Sequence, residues 1–422
     1  MNQPLWDSIA NTFGTPAYVY DGECMVRQFA LLKDCLPESF DIFFSVKSNP
    51  LLGICELLKQ QGACVEVASA GELYLALQAG FPPQDIIFTS PGKSQEDLEY
   101  ALNTGIFSIN VESLRELYLI HQLAAKRGQI AHVSLRINPS FQHNGAGLKM
   151  SGVPSQFGID QDQLGGVFEE LEDMPYIHLR GIHVFFGSQI LDSGHLLRNV
   201  QSILELAVQL MDTNRMEFDF IDIGGGFGVP YFKGETELQT DVLKSGLMEI
   251  WKGYSERLSG VRVGVESGRF LLAEAGSFLT KVLYVKESKG ATYYVCDGGS
   301  NHHASSAFLG RYVRNNFPMH LPGMKGELSE VHVVGSLCTP TDVLGQKVML
   351  PKAEPGDLLV IEKSGAYGLT HSPVLFLSHA LPPEILVYEG ELIVLRERGQ
   401  NSDVLRGQHS LHSIKLAEAR GS

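Results

Sequence analysis

Apolar positions along the chain fall into two regimes. From about residue 42 to about residue 265, short apolar runs alternate with stretches in which apolar residues recur every three or four positions. The runs Ile42–Val46, Cys64–Ala68, Ile86–Thr89, Ile106–Asn110, Val133–Ile137, Ile177–Phe186, Phe218–Ile223 and Val261–Val265 read as buried strands. Segments such as Ala70–Ala79 and Glu112–His121 between them read as helices, and an earlier helix sets Met25, Phe29, Leu32 and Leu36 on one face. About eight such βα units over roughly 240 residues predict a closed parallel (β/α)8 TIM barrel. No G-x-G-x-x-G follows the first strand, which weighs against an open dinucleotide-binding sheet.

From about residue 275 the helical period disappears. Phe278–Lys286, Thr292–Asp297, Glu330–Gly335, Asp357–Glu362 and Glu384–Tyr388 read as strands separated by turn residues, which predicts a β-sandwich or β-barrel domain. Residues 1–14 pattern as a short helix, and the strand Thr15–Asp21 precedes the first barrel helix, so it is assigned to the β domain. The expected division is a barrel over 22–272, a β domain from 1–21 plus 273–398, and a polar tail over 399–422.

Composition narrows the partners. The net charge is −15 and there is no basic stripe, which argues against nucleic acid or an anionic membrane surface. No apolar run approaches the roughly 20 residues of a membrane span, and the start of the chain has neither the basic flank nor the apolar core of a signal peptide. The six cysteines (Cys24, Cys35, Cys55, Cys64, Cys296 and Cys338) form no C-x-x-C pair, so reduced thiols in the cytoplasm and no metal site are expected.

The unusual polar residues cluster at strand ends: Lys47, Glu66, Asn110, Arg136, Ser188, Asp222 and Glu266. A barrel does its chemistry at the C-terminal ends of its strands. Lys47 closes an apolar run, and a lysine with a desolvated stem is a candidate amine nucleophile toward an aldehyde. Asp222-Ile-Gly224-Gly225-Gly226 follows a strand and suits close backbone approach to an anion. In Glu266-Ser-Gly268-Arg269 the carboxylate suits a cationic ring nitrogen and the guanidinium a phosphate or carboxylate. Cys338 and Asp342 share a loop of the β domain, and Tyr367 stands on a glycine-flanked turn. Each of these motifs also has an ordinary packing explanation.

In this order and spacing the motifs resemble the fold-type III pyridoxal-phosphate decarboxylases, the group of diaminopimelate, ornithine and arginine decarboxylases. The resemblance runs from Tyr18-Val-Tyr20 to Pro382-Pro-Glu-Ile-Leu386. It implies pyridoxal 5′-phosphate as cofactor, carried on Lys47. Ser188, Gly224, Gly225, Gly226, Gly268, Arg269 and Tyr367 are then expected at the cofactor, with Glu66 and Arg136 counted beside them. Glu266 is expected at the pyridine nitrogen, where the related alanine racemases place an arginine, so decarboxylation is favoured over racemisation. Cys338 is expected to protonate the product carbanion. The resemblance also implies a homodimer with shared sites, in which Cys338 and Tyr367 come from the partner subunit.

Two departures redirect the substrate. Phe185 stands where the family's stacking histidine is expected, and it can stack but cannot donate a hydrogen bond. Thr339 stands where an acidic residue after the cysteine reads a distal amine, with Asp342 three residues on as the possible replacement. The segments Gly147–Gly158, Asp297–His303 and Gly310–Pro318 are similar to a specialised branch with the butirosin-pathway decarboxylase of carrier-protein-tethered glutamate and the citryl-diaminopropionate decarboxylases of siderophore pathways. Arg311 and Arg314 are candidate contacts for such a substrate. The expected activity is decarboxylation of a modified amino acid in secondary metabolism. Diaminopimelate decarboxylation is the enzyme alternative, and a catalytically silent binding relative the non-enzyme one.

Overall fold

The computed structural model describes residues 3–140, 148–149, 152–307 and 315–411. It divides into two compact units, Gly22–Ala275 and the combination of Met1–Asp21 with Gly276–Ser422. The boundary falls after residue 275 rather than 272, because the short helix Arg269–Leu272 runs directly into a 3-10 turn at Ala273–Ala275.

In the first unit eight strands close a parallel ring: Phe40–Ser45, Cys64–Val67, Ile86–Thr89, Ser108–Val111, Ala131–Asn138, Ile177–His183, Phe220–Asp222 and Arg262–Ser267. Each pairs with the next, and Arg262–Ser267 returns to the first in the register Glu266↔Phe43 and Ser267↔Phe44. The strands are buried on both faces, which is why the sequence shows apolar runs instead of alternation. Serine caps make the βα turns: Ser69, Ser94 and Ser113 each accept the N–H three residues on, and Ser94 forms a full capping box with Asp97. Gly105 and Gly128 end their helices in the left-handed region, at φ 69° and 64°. These caps fix where the helices after Cys64–Val67, Ile86–Thr89 and Ser108–Val111 begin.

The second unit is a nine-stranded sheet system built around the strand Gly276–Ser288. Ala17–Asp21 pairs antiparallel with it and parallel with Glu384–Tyr388, so the opening strand belongs to this unit as its position in the sequence suggested. Three strands of this unit went unread, Met319–His320, Val343–Pro351 and Glu391–Arg396. The first has only two residues, Gln346 and Lys347 interrupt the second, and the apolar run of the third is short and largely exposed. The start of the polar tail is part of this unit: the Gly399 N–H donates to Leu381 O and a 3-10 turn follows at Asn401–Leu405. Among the described residues no helix is long and apolar enough to cross a membrane.

Candidate active site

Lys47 lies in a 3-10 turn, Val46–Ser48, immediately after its strand. Its Nζ stands 2.8 and 3.0 Å from the two carboxylate oxygens of Glu66, on the neighbouring strand. The Lys47 side chain is 41 % exposed and that of Glu66 is fully buried. The amine stands at the rim, where a strand-end lysine is expected, and there it is held in an ion pair with Glu66. Gly268 makes the position possible, because a Cβ there would come within 2.7 Å of the Ser48 side chain. Its small size thus serves the Lys47 turn.

Three further strand ends converge inside the ring. His183, Asp222 and Glu266 are buried, and one ligand atom from each lies within 4.8 Å of the others. His183 Nε2 is 3.4 Å from Glu266 Oε1. The Asp222 Oδ1 accepts the Gly224 N–H at 2.9 Å, while Asp222 Oδ2 and Glu266 Oε1 have no hydrogen-bond partner among the described residues. Burial, then the charges of Glu66 and Asp222, push the Glu266 carboxyl well above the ordinary range. Burial, with Glu66 adding to it, pushes Asp222 up to about 7, against the lowering effect of the Gly224 N–H. Burial, then the cations Arg136, Lys47 and Lys93, hold His183 well below its usual value, so it stays neutral. Sequence spacing could not reveal this trio, because its members stand some 40 residues apart on three strands.

Arg136 is fully engaged: its guanidinium donates to Glu112 at 2.8 Å and lies over the Phe157 ring at 4.7 Å. Glu112 also accepts the Gly158 N–H, tying the segment before Ile159 to the barrel mouth. Glu112 was not read as a site residue. Its only signal is a place just beyond the strand Ser108–Val111.

The glycines of 224–226 are required by the protein's own backbone. A Cβ would meet Val184 O at 2.4 Å from Gly224, Glu266 O at 1.9 Å from Gly225 and Gly187 O at 2.5 Å from Gly226. Phe185 is half-buried, its ring edge 3.1 Å from the Gly224 Cβ position. Ser188 pairs through its backbone with residue 148. Arg269, half-buried, starts its short helix and donates to the Tyr231 hydroxyl at 3.3 Å.

In the second unit Cys338 is exposed and Thr339 half-exposed. Asp342 is buried, and its two oxygens accept the N–H groups of Ser300 and Leu337 at 2.6 and 2.8 Å. This corrects the expectation that Asp342 replaces the missing acid at Thr339: it is consumed in anchoring its own loop. Tyr367 sits at φ 54°, an uncommon conformation for a tyrosine, and its carbonyl accepts the Ser305 hydroxyl. His302 and His303 are buried core residues, His303 bonded to Ser364. Arg311 and Arg314 lie outside the described residues.

The residues fit a protonated pyridine ring. Two buried carboxyls with unpartnered oxygens call for a buried cationic N–H donor, and a glycine turn, a serine and an arginine border the same strand ends. A parallel barrel with a rim lysine and such an acid seat defines a class of cofactor-dependent barrel enzymes. The chain belongs to the pyridoxal-dependent decarboxylase family, whose pyridoxal binding domain matches residues 23–273, and it is a carboxy-lyase. It is 38 % identical over 422 residues, 99 % of each chain, to the L-glutamyl-[BtrI acyl-carrier protein] decarboxylase of Niallia circulans. It is 31 % identical to the 2-[(L-alanin-3-ylcarbamoyl)methyl]-2-hydroxybutanedioate decarboxylase of Staphylococcus aureus, over 86 % of this chain and 92 % of that one. Among solved structures, diaminopimelate decarboxylase from M. jannaschii in complex with L-lysine aligns with a TM-score of 0.89 at 27 % identity, over 96 % of this chain and 94 % of that one.

Proposed function

We propose that this chain decarboxylates an amino acid whose far end is acylated or tethered to a carrier protein, in secondary metabolism, using pyridoxal 5′-phosphate carried on Lys47. One observation carries the substrate reading. The loop that would read a distal ammonium offers Thr339, and Asp342 is turned inward onto two backbone N–H groups. Such a loop supplies no charge for a free diamino acid, whereas a neutral amide or thioester end makes no such demand. The 38 % identity to a decarboxylase named for a carrier-bound glutamyl substrate supports the same choice.

Pyridoxal phosphate, when bound, supplies an electron sink for the pair left at Cα as CO2 departs. Glu266 holds a proton at the ring nitrogen, and the buried setting strengthens that interaction. Ser188, Gly224, Gly225, Gly226 and Arg269 receive the phosphate, and Phe185 covers a ring face. Glu66 fixes the Lys47 amine at the rim. In this reading the enzyme is a cytoplasmic homodimer, and Cys338 of the partner subunit returns a proton to Cα while Tyr367 of the partner subunit completes the phosphate site. The six free thiols agree with a reducing compartment.

The test is CO2 release by purified, cofactor-loaded protein from free meso-diaminopimelate, carrier-tethered glutamate and N-acylated diamino acids. Turnover of a tethered or acylated substrate with none of free diaminopimelate is expected. Brisk turnover of free diaminopimelate would replace this reading with a diaminopimelate decarboxylase. A protein that forms no cofactor absorbance band dependent on Lys47 would be a silent relative.

A further inference from the structure

The buried charges of the barrel do not balance. Lys47 pairs with Glu66 and Arg136 pairs with Glu112. His183, which faces Asp222 in register on one side, is held neutral by burial. On the other side, Gly264 faces Asp222 in register, and Glu266 follows two residues on along the same strand. Asn110 donates to Thr89 and brings no charge. Among the described residues the fully buried acids without a cation are Asp222 and Glu266, with carboxyl oxygens within 4.8 Å of each other.

Asp222 has a modest structural task, since its Oδ1 accepts the Gly224 N–H that starts the glycine turn. An asparagine would serve that turn equally well. Its Oδ2 lies buried beside Glu266 Oε1, and among the described residues neither oxygen has a hydrogen-bond partner of good geometry, though Glu266 and Asn110 are near enough to Asp222 to lower its pKa. Unsatisfied buried carboxyl oxygens are destabilising and are retained where a ligand completes them.

We propose that Asp222 is a positioning residue that acts through Glu266: the two carboxyls form one seat, and their joint charge keeps the proton on the ring nitrogen of the cofactor. This rests on the reading that pyridoxal phosphate binds at Lys47. Glu266 makes the contact. Asp222 prevents Glu266 from sharing its charge with another donor, and adds a second negative charge behind it. The proton is not consumed. It is held at the ring nitrogen and shared with the acid pair.

The test uses the full chain loaded with pyridoxal phosphate labelled with 15N in the ring, followed by NMR from pH 6 to 9. The wild-type ring nitrogen is expected to stay protonated across this range. In Asp222→Asn, which retains an acceptor for Gly224, the nitrogen is expected to titrate at least one unit lower, and cofactor affinity to fall about tenfold, the equivalent of one unit. In a Glu266→Gln background the effect of Asp222→Asn on affinity is expected to shrink below about twofold, because the two act as a unit. Equal effects in both backgrounds, with an unchanged ring titration, would mean a turn anchor only and overturn the proposal. Should Asp222→Asn fail to fold, Asp222→Ser, which also keeps an acceptor for the Gly224 N–H, takes its place with the same two readouts, and an unchanged ring titration in it overturns the proposal. Wild-type protein that binds no cofactor at Lys47 would instead overturn the underlying reading.

Discussion

The Lys47 amine and the Glu66 carboxylate form a half-open ion pair, 2.8 Å apart, in which the acid is fully buried and the amine 41 % exposed. The asymmetry makes the two substitutions unequal. Lys47→Ala leaves a buried carboxylate without its cation and is expected to lower stability by about 1–2 kcal/mol, less than for a fully buried pair because solvent already screens the amine. It also abolishes the cofactor absorbance band. Glu66→Gln removes the buried charge, so stability is expected to stay within about 1 kcal/mol, while cofactor loading slows because the amine has lost its tether. Urea unfolding and absorbance titration on both variants separate the two effects.

Gly225→Ala is expected to fail for a reason unrelated to the phosphate. The new Cβ would stand 1.9 Å from the Glu266 carbonyl oxygen, which a flexible side chain could avoid but backbone cannot. We expect a loss of about 3 kcal/mol in stability. The cofactor-free protein should show the same loss by chemical denaturation, and equal stability of variant and wild type would refute the steric account.

The barrel was legible because its strands are buried and appear as short apolar runs, so strand ends and rim residues followed from where the runs stop. The same logic missed Val343–Pro351, which Gln346 and Lys347 interrupt, and Glu391–Arg396, whose apolar run is short and largely exposed. Lys47 and Glu266 were legible from their local motifs. The partners of Lys47 and Arg136 were not: Glu66 and Glu112 reach them across strands, and nothing in linear spacing encodes which rim acids meet which rim cations. Asp342 failed for a related reason. A carboxylate on the same loop as Cys338 reads as available until the backbone N–H groups of Ser300 and Leu337 are seen to occupy it.

The cofactor-free protein should lose stability as pH rises toward neutrality. Asp222 and Glu72 are both raised to about 7, the latter by burial. An acid whose folded-state value is raised binds its proton more tightly when folded. Its contribution is full below the unfolded value near 4 and is lost as pH climbs through about 7. The fall is on the order of 3–4 kcal/mol for each. Above about pH 6.5, where the lowered histidines His183 and His302 no longer add a slope, melting temperatures should decline and then level off, and Asp222→Asn or Glu72→Gln should each flatten that decline.

The second unit should weaken in acid instead. Burial, then the neighbouring His379, lower His302 to about 4, and its Nδ1 has no hydrogen-bond partner among the described residues. A histidine lowered in the folded state contributes fully above its unfolded value near 6.5 and loses that contribution as pH falls to about 4, on the order of 3 kcal/mol. Hydrogen exchange at pH 7 and pH 5 should show His302 and its neighbours opening first. His302→Asn should remove most of the difference.

Cys338 and Asp342 should separate chemistry from loop architecture. Cys338 is exposed, and its removal leaves no buried cavity, so Cys338→Ala is expected to unfold like wild type. If its thiol is the proton donor to Cα, turnover falls about 10²-fold or more, the usual contribution of a positioned acid, while the cofactor band is unchanged. Asp342→Ala strands the N–H groups of Ser300 and Leu337 in a buried setting, which costs about 2–4 kcal/mol for the two. It should also lower turnover, because the loop that carries Cys338 loses its anchor. Asp342→Asn, which keeps an acceptor for one N–H, should recover part of the stability and part of the rate together. A Cys338→Ala enzyme with wild-type turnover would remove the thiol from the reaction, and an Asp342→Ala enzyme that is stable but blind to its substrate would return Asp342 to the substrate site.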